Sequence, residues 1–246
     1  MLESHEKARM NLEIITSFNK TYYDLIGKDC VESWLKYWPV DLTLTCYVEE
    51  FTVPEHKRIK QIPFDNLCKE YFEFQKTSKK QIKKFAKKAF TFIHAMENST
   101  ADRIICVDAD VITLQALPKS LLLKILPIDV LSTHMGVVYD TTKSGTPGLW
   151  FVPETGFFAI NTQHELFENF KTEYKRHYVE KDHKHLRRFY DNDVYGYVFE
   201  KLKAPGYDLS NKFDKGYKTP LPHTELAMYL KHYKAKGSKE VYIKNK

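Results

Sequence analysis

With 246 residues, 43% hydrophobic and 28% charged, the chain is long enough for a full α/β core and has the balance of a soluble protein. No apolar run approaches the roughly 18 residues of a membrane helix. The charged start has no secretory core. Cys30, Cys46, Cys68 and Cys106 form no C-x-x-C pair, which argues against a zinc site or disulfide framework and for free thiols in the cytoplasm. The net charge of +6 suits a nucleotide, a nucleic acid or an anionic surface, but charge alone favours a Lys-rich solvated exterior.

Residues 1–10 read as a peripheral start to one domain spanning 1–246. Leu12 to Ser17 is predicted as the first strand, and Phe18 to Tyr23 as a loop. Asp24 to Trp38 carries apolar residues at helical spacing and is stopped by Pro39. Asp41 to Val48 alternates Leu42, Leu44 and Cys46 as a second strand, which makes a βαβ unit. Glu50 to Pro63 reads as a connector with a short strand near Ile59 and Ile62, and Phe64 to Phe74 as a helix. The clearest helix is Lys76 to Met96, with Ile82, Phe85, Ala86, Ala89 and Ile93 as its apolar stripe.

Ile104 to Val107 is a nearly continuous apolar run, the pattern of a strand covered on both faces. It ends in Asp108-Ala109-Asp110. In extended backbone, side chains two apart point the same way, so the two carboxylates are expected to face one point at the strand's C-terminal end. Ligands of open α/β sheets bind at that end. Two hard oxygen ligands there suit Mg²⁺ or Mn²⁺. Taken alone, Asp-Ala-Asp also fits a solvated turn; the buried-type strand before it favours the metal reading.

Beyond it, Leu117 to Leu126 reads as a short helix and Asp129 to His134 as a strand. Tyr139 to Pro153, punctuated by Gly145, Pro147, Gly148 and Pro153, reads as a loop covering a site. Glu154 to Asn161 is a strand; His164 to Tyr178 and Tyr190 to Leu202 are helices. Leu209 to Lys246 is basic and aromatic.

In this order the pieces resemble the nucleotide-sugar glycosyltransferases of GT-A fold, in particular small bacterial and phage members. Four patches carry the likeness: Ile14-Ile15-Thr16-Ser17-Phe18, Lys84 to Phe90, Val107-Asp108-Ala109-Asp110-Val111, and Glu154 to Asn161. His232-Tyr233-Lys234 with Gly237 and Lys239 is a fifth. The resemblance implies a Rossmann-like domain with a mostly parallel central sheet flanked by helices. It also implies a metal-dependent transfer of sugar from a nucleoside-diphosphate sugar, with a UDP-sugar the expected donor, to a hydroxyl on a glycan or other biopolymer.

Residue by residue, it implies that Thr16, Ser17 and Phe18 meet the nucleotide and that Tyr22 stacks on the base or simply packs. Lys84 and Lys88, one helical turn apart, reach the donor. Asp108 and Asp110 form the D-x-D metal motif, the second ligating the metal most directly and the first meeting the donor's ribose or the metal through water. His232 completes the coordination, with His223 as its competitor; an imidazole ligand favours manganese over magnesium. Lys234, Gly237 and Lys239 resemble the loop closing on the diphosphate. There the family's His-x-x-Gly-x-x-Lys is shifted, with Ala235 and Ser238 at the expected glycine and lysine positions. Glu154, Thr155 and Gly156 match the acceptor-side turn. Either Asp191 or Glu154 takes the acceptor's proton in an inverting route or stabilises charge at C1 in a retaining one. Asp191 reads equally as a helix N-cap.

A sugar nucleotidyltransferase would need a Gly-rich loop after the first strand, and Thr16 to Tyr23 holds no glycine. A nucleic-acid-binding or DNA-modifying protein rests on charge alone.

Overall fold

The first strand runs two residues further than its apolar pattern, from Leu12 to Asn19 (β1). Its side chains alternate between two hydrophobic layers, with Ile14 and Phe18 in one and Ile15 in the other. In this computed structural model the described residues are 10–67, 69–78, 80–140, 149–182, 186, 189–210 and 220–233.

Asn19 ends β1 as a cap whose side chain accepts from the Tyr22 N–H at 2.8 Å. What reads as a loop is therefore already helical: a turn at Lys20–Tyr22, a π segment at Tyr23–Gly27, then α1 (Lys28–Tyr37). The early Asn cap overrides the β-type aromatic residues Tyr22 and Tyr23, because it satisfies a backbone donor the helix would leave bare. β2 (Thr43–Glu49) and β3 (Ile59–Pro63) follow, then a 3₁₀ turn at Phe64–Asn66. Where one long helix and one shorter one were expected, the break falls after α2 (Lys69–Thr77), and α3 spans Lys80–Asn98. β4 (Arg103–Val107) is wholly buried.

β5 (Val111–Thr113), α4 (Lys119–Ile125), β6 (Ser132–Asp140) and β7 (Leu149–Asn161) come next. The predicted covering loop is thus corrected: Leu149–Pro153 are strand residues that pair antiparallel with β6, Pro153 standing opposite Gly136. Residues 141–148 lie outside the described set. α5 (Phe167–Val179), α6 (Asp191–Lys201), β8 (Gly206–Asp208), a 3₁₀ turn at Leu221–His223 and β9 (Leu230–His232) complete the elements.

The main sheet has the order β3-β2-β1-β4-β7-β6-β8. β1, β2, β3 and β4 are mutually parallel, β7 is antiparallel to both its neighbours, and β8 is parallel to β6. Helices cover both faces. α2, α3, α5 and α6 pack over Ile15, Ile104, Cys106 and Phe158; α1 and α4 pack over Ile14, Ile105, Val107 and Phe157. That two-sided cover is why β4 reads as an unbroken apolar run, since each alternate residue enters a different core. Each such fully buried aliphatic or aromatic side chain contributes on the order of 1.5–3 kcal/mol. A separate two-stranded ribbon joins β5 to β9, pairing Val111 with His232.

Candidate functional site

The site forms where the parallel strands end. Asp108 and Asp110 are not in extended backbone: the Val111 N–H donates to the Asp108 carbonyl at 3.0 Å, closing a turn. The expectation that strand geometry aligns the pair is corrected. The carboxylates converge on His232 instead, whose Nε2 lies 3.0 Å from Asp110 Oδ1 and 3.6 Å from Asp108 Oδ2. One ligand atom from each of the three residues lies within 4.8 Å of the others. Backbone bonds fix this meeting. Pairing of β5 with β9 carries His232 to the turn, and the Tyr233 N–H donates to the Asp110 carbonyl at 2.9 Å. The Asp108 N–H donates to the Gly156 carbonyl at 3.0 Å, locking the turn to β7.

Asp110 is buried and Asp108 half-buried, and two carboxylates so close together must be balanced by positive charge. Lys88, on α3, donates to Asp108 and to the Thr155 carbonyl, and its Nζ lies 3.8 Å from Asp191. Burial opposes the charge on Lys88, but Asp108 and Asp191 outweigh it and hold the ammonium above its usual range. Burial likewise lowers His232, yet Asp110, Glu154 and Asp108 push it up to about 10, so the ring is an imidazolium near neutrality. Burial raises Asp108 against the pull of Lys88. Tyr22 donates its hydroxyl to Asp110 Oδ2 at 2.6 Å, and burial followed by the field of Asp110 raises its pKa. The Cys30 thiol, raised by burial, lies 3.8 Å from the Asp108 carbonyl.

Two carboxylates and one imidazole are a donor set that fits Mn²⁺, and a divalent ion there would displace the proton from His232 Nε2 and take over part of the charge balance that Lys88 supplies to Asp108. The set opens on a cleft of about 450 Å³. Ser17, Phe18 and Tyr22 form one wall, and Glu154, Thr155, Asp191 and Lys88 another. Phe18 is mostly turned into the core against Tyr23 and Phe51, and Thr16 is buried in β1 behind the cleft. Lys84 sits one turn before Lys88 on α3, with its side chain outside the described residues, as are Lys234, Gly237 and Lys239. Asp191 is the first residue of α6, whose cap is Tyr190, and its carboxylate points to Lys88 rather than capping the helix. His223 is exposed on its 3₁₀ turn and is not one of the three clustered ligands.

Several cleft residues escaped the sequence reading. Lys87, to which the sequence assigns no role of its own, is paired with Glu49 at 2.6 Å on the cleft wall. Phe85 stacks on Tyr190 with ring centroids 3.9 Å apart, joining α3 to the approach to α6. Phe85 was legible only as one member of a helical apolar stripe, and no local pattern links it to Tyr190. Among the described residues no helix is long and apolar enough to cross a membrane.

No family model matches the chain, and no curated protein matches it in sequence. Solved structures do match in fold. On the apo structure of the bifunctional glycosyltransferase WbbM the TM-score is 0.55 at 14% identity, covering 93% of this chain and 46% of that one. On the apo form of mouse xyloside xylosyltransferase 1 it is 0.57 at 14% identity, covering 88% and 91%. On the galactosyltransferase LgtC, solved with donor and acceptor sugar analogs, it is 0.51 at 12% identity, covering 91% and 87%. The chain thus spans just under half the length of WbbM. At these identities the likeness defines the fold, which is the GT-A fold expected from the sequence.

Proposed function

We propose that this chain is a metal-dependent glycosyltransferase that moves a sugar from a nucleoside-diphosphate sugar, a UDP-sugar being the first to test, to a hydroxyl acceptor on a glycan or other biopolymer. The observation that carries this reading is the convergence of Asp108, Asp110 and His232 beside a cleft sized for such a donor. The GT-A fold supports it.

In this reading Asp108, Asp110 and His232 hold a divalent cation, Mn²⁺ before Mg²⁺. When bound, the ion supplies Lewis-acid stabilisation of charge developing on the leaving diphosphate. Ser17, Phe18 and Tyr22 bind the nucleoside on their wall of the cleft. Lys88, which donates to Asp108, would offer a half-buried cation to the donor, as electrostatic catalysis requires. Lys84, Lys234, Gly237 and Lys239 remain the expected additional donor contacts, with Thr16 supporting the first wall from within β1. Of the two acids available to the acceptor side, Asp191 lines the cleft 3.8 Å from the Lys88 ammonium, which supports it as the carboxylate that assists the acceptor hydroxyl or the developing charge at C1.

The test is hydrolysis or transfer across a panel of nucleotide sugars with Mn²⁺, with Mg²⁺ and with excess chelator. Wild-type turnover should require the metal. Asp110→Ala should fold, with an unchanged circular dichroism spectrum, and lose activity by on the order of a hundredfold or more. Full activity in Asp110→Ala, or in chelator, would overturn the mechanism.

A further inference from the structure

Among the carboxylates around the cleft, Glu154 is the one least available to a substrate. Its side chain is 5% exposed, as is that of His232, and the two meet with Glu154 Oε2 3.7 Å from His232 Nδ1. The same oxygen accepts the Gly156 N–H at 3.1 Å. Gly156 forms the other side of the seat. A Cβ there would stand 2.6 Å from both Cε1 and Nδ1 of His232, and 2.8 Å from Glu154 Oε2. The ring therefore lies directly against the Gly156 backbone, a contact open only to glycine.

The backbone explains how β7 supplies this slot. Thr133 pairs with Ala159 and Met135 with Glu154, so residues 155–158 of β7 stand opposite His134 alone on β6. Such an irregularity re-aims side chains. Here it lifts Thr155 and Gly156 away from β6 and turns their carbonyls to Lys88 and Asp108. It also sets Glu154 behind His232, on the ring edge opposite the one that faces Asp108 and Asp110.

We propose that Glu154 is a positioning residue that, with the bare backbone of Gly156, seats His232 so that its Nε2 faces Asp108 and Asp110. The inference rests on the metal-dependent reading above and gives Glu154 a different task from the acceptor-side acid. A ligating imidazole presents one nitrogen to the metal and gives the other N–H to a carboxylate, which fixes the ring's tautomer and orientation. Glu154 stands at that second nitrogen. Its effect on the reaction passes through His232, and Asp191 is left as the acid facing the acceptor.

The experiment reads Mn²⁺ affinity directly, from the loss of the free-ion electron paramagnetic resonance signal on titration, for wild type, Glu154→Gln, Glu154→Ala, His232→Ala and the double variant Glu154→Ala/His232→Ala. Circular dichroism confirms that each variant is folded. Glu154→Ala should weaken Mn²⁺ binding by about 10- to 100-fold. Glu154→Gln, which keeps an acceptor oxygen, should recover most of that affinity and most of the turnover. In the His232→Ala background Glu154→Ala should add no further loss, because the residue acts through that ring.

Glu154→Ala with wild-type affinity, or an equal loss in both backgrounds, would overturn the proposal. So would a Glu154→Gln variant that binds Mn²⁺ normally but has lost turnover, since that is the signature of an acid or base at the substrate. Failure of the parent reading looks different: the wild type itself binds no Mn²⁺, and the assignment of Glu154 goes with it.

Discussion

Tyr22 reaches Asp110 through a single hydroxyl, at 2.6 Å, and that contact separates two roles the side chain can play. As an aromatic face on the cleft wall, it would stack on a base whether or not it carries the oxygen. As a hydrogen-bond donor, it would orient Asp110, a carboxylate of the proposed metal site. Tyr22→Phe keeps the ring and removes the donor, so we expect Mn²⁺ affinity to fall about tenfold while affinity for the nucleoside without its diphosphate stays unchanged. Tyr22→Ala should lose both. Calorimetric titration with the nucleoside and a parallel Mn²⁺ titration check this, and a Tyr22→Phe variant with unaltered metal affinity would confine the residue to stacking. The triplet at the end of a buried-type strand marked Asp108 and Asp110, and the resemblance to GT-A glycosyltransferases marked Tyr22 and His232. The sequence could not mark the bonds between them, because a Tyr hydroxyl and an Asp so far apart in sequence leave no periodic trace.

Between residues and the whole sheet, legibility followed length. β4 and α3 were readable because a buried strand and a long amphipathic helix each repeat one pattern several times. β5 and β9 were not, since a three-residue strand has no period to detect. β7 was cut short at Glu154 because Pro153 and the glycines before it read as turn residues, yet the strand tolerates Pro153 opposite Gly136. β6 and β8 carry a pH-dependent weakness. His134 on β6 is buried beside Ser132 and stands opposite Asp208 of β8. Burial lowers its pKa to about 4 from the ordinary 6.5, although Asp208 pulls the other way. The folded ring is thus neutral where the unfolded chain takes a proton. Its contribution is present in full above about pH 6.5 and is lost as pH falls toward 4. The gap is worth on the order of 3 kcal/mol at most. Urea midpoints of wild type and His134→Gln, followed from pH 7 to pH 4.5, should converge as the wild type loses its advantage. Parallel pH profiles would show that His134 does not carry this dependence.

At the scale of the molecule, the strand order brings the C-terminal ends of β1, β2 and β4 to one edge, the position at which open α/β sheets bind ligands. The β5–β9 ribbon then carries His232 across to that edge. Alternating strands and helices were enough to foresee the first part; the second depends on tertiary pairing alone. Because the two hydrophobic layers lie on either side of the sheet and Asp108, Asp110 and His232 at its end, the fold should form without a metal, and the proposed binding should add to an already stable fold. Linkage gives the size of the addition. A ligand at about a hundredfold over its Kd stabilises by about 2.7 kcal/mol. For a chain of this length each kcal/mol moves Tm by about 2–4 °C. UDP with Mn²⁺ should therefore raise Tm by about 5–11 °C. Excess chelator should abolish most of that rise while leaving a cooperative transition, and Asp110→Ala should show little of it. If duplex DNA produced the stabilisation instead, and UDP with Mn²⁺ none, the net charge of +6 would be the better guide to the partner than the carboxylate pair.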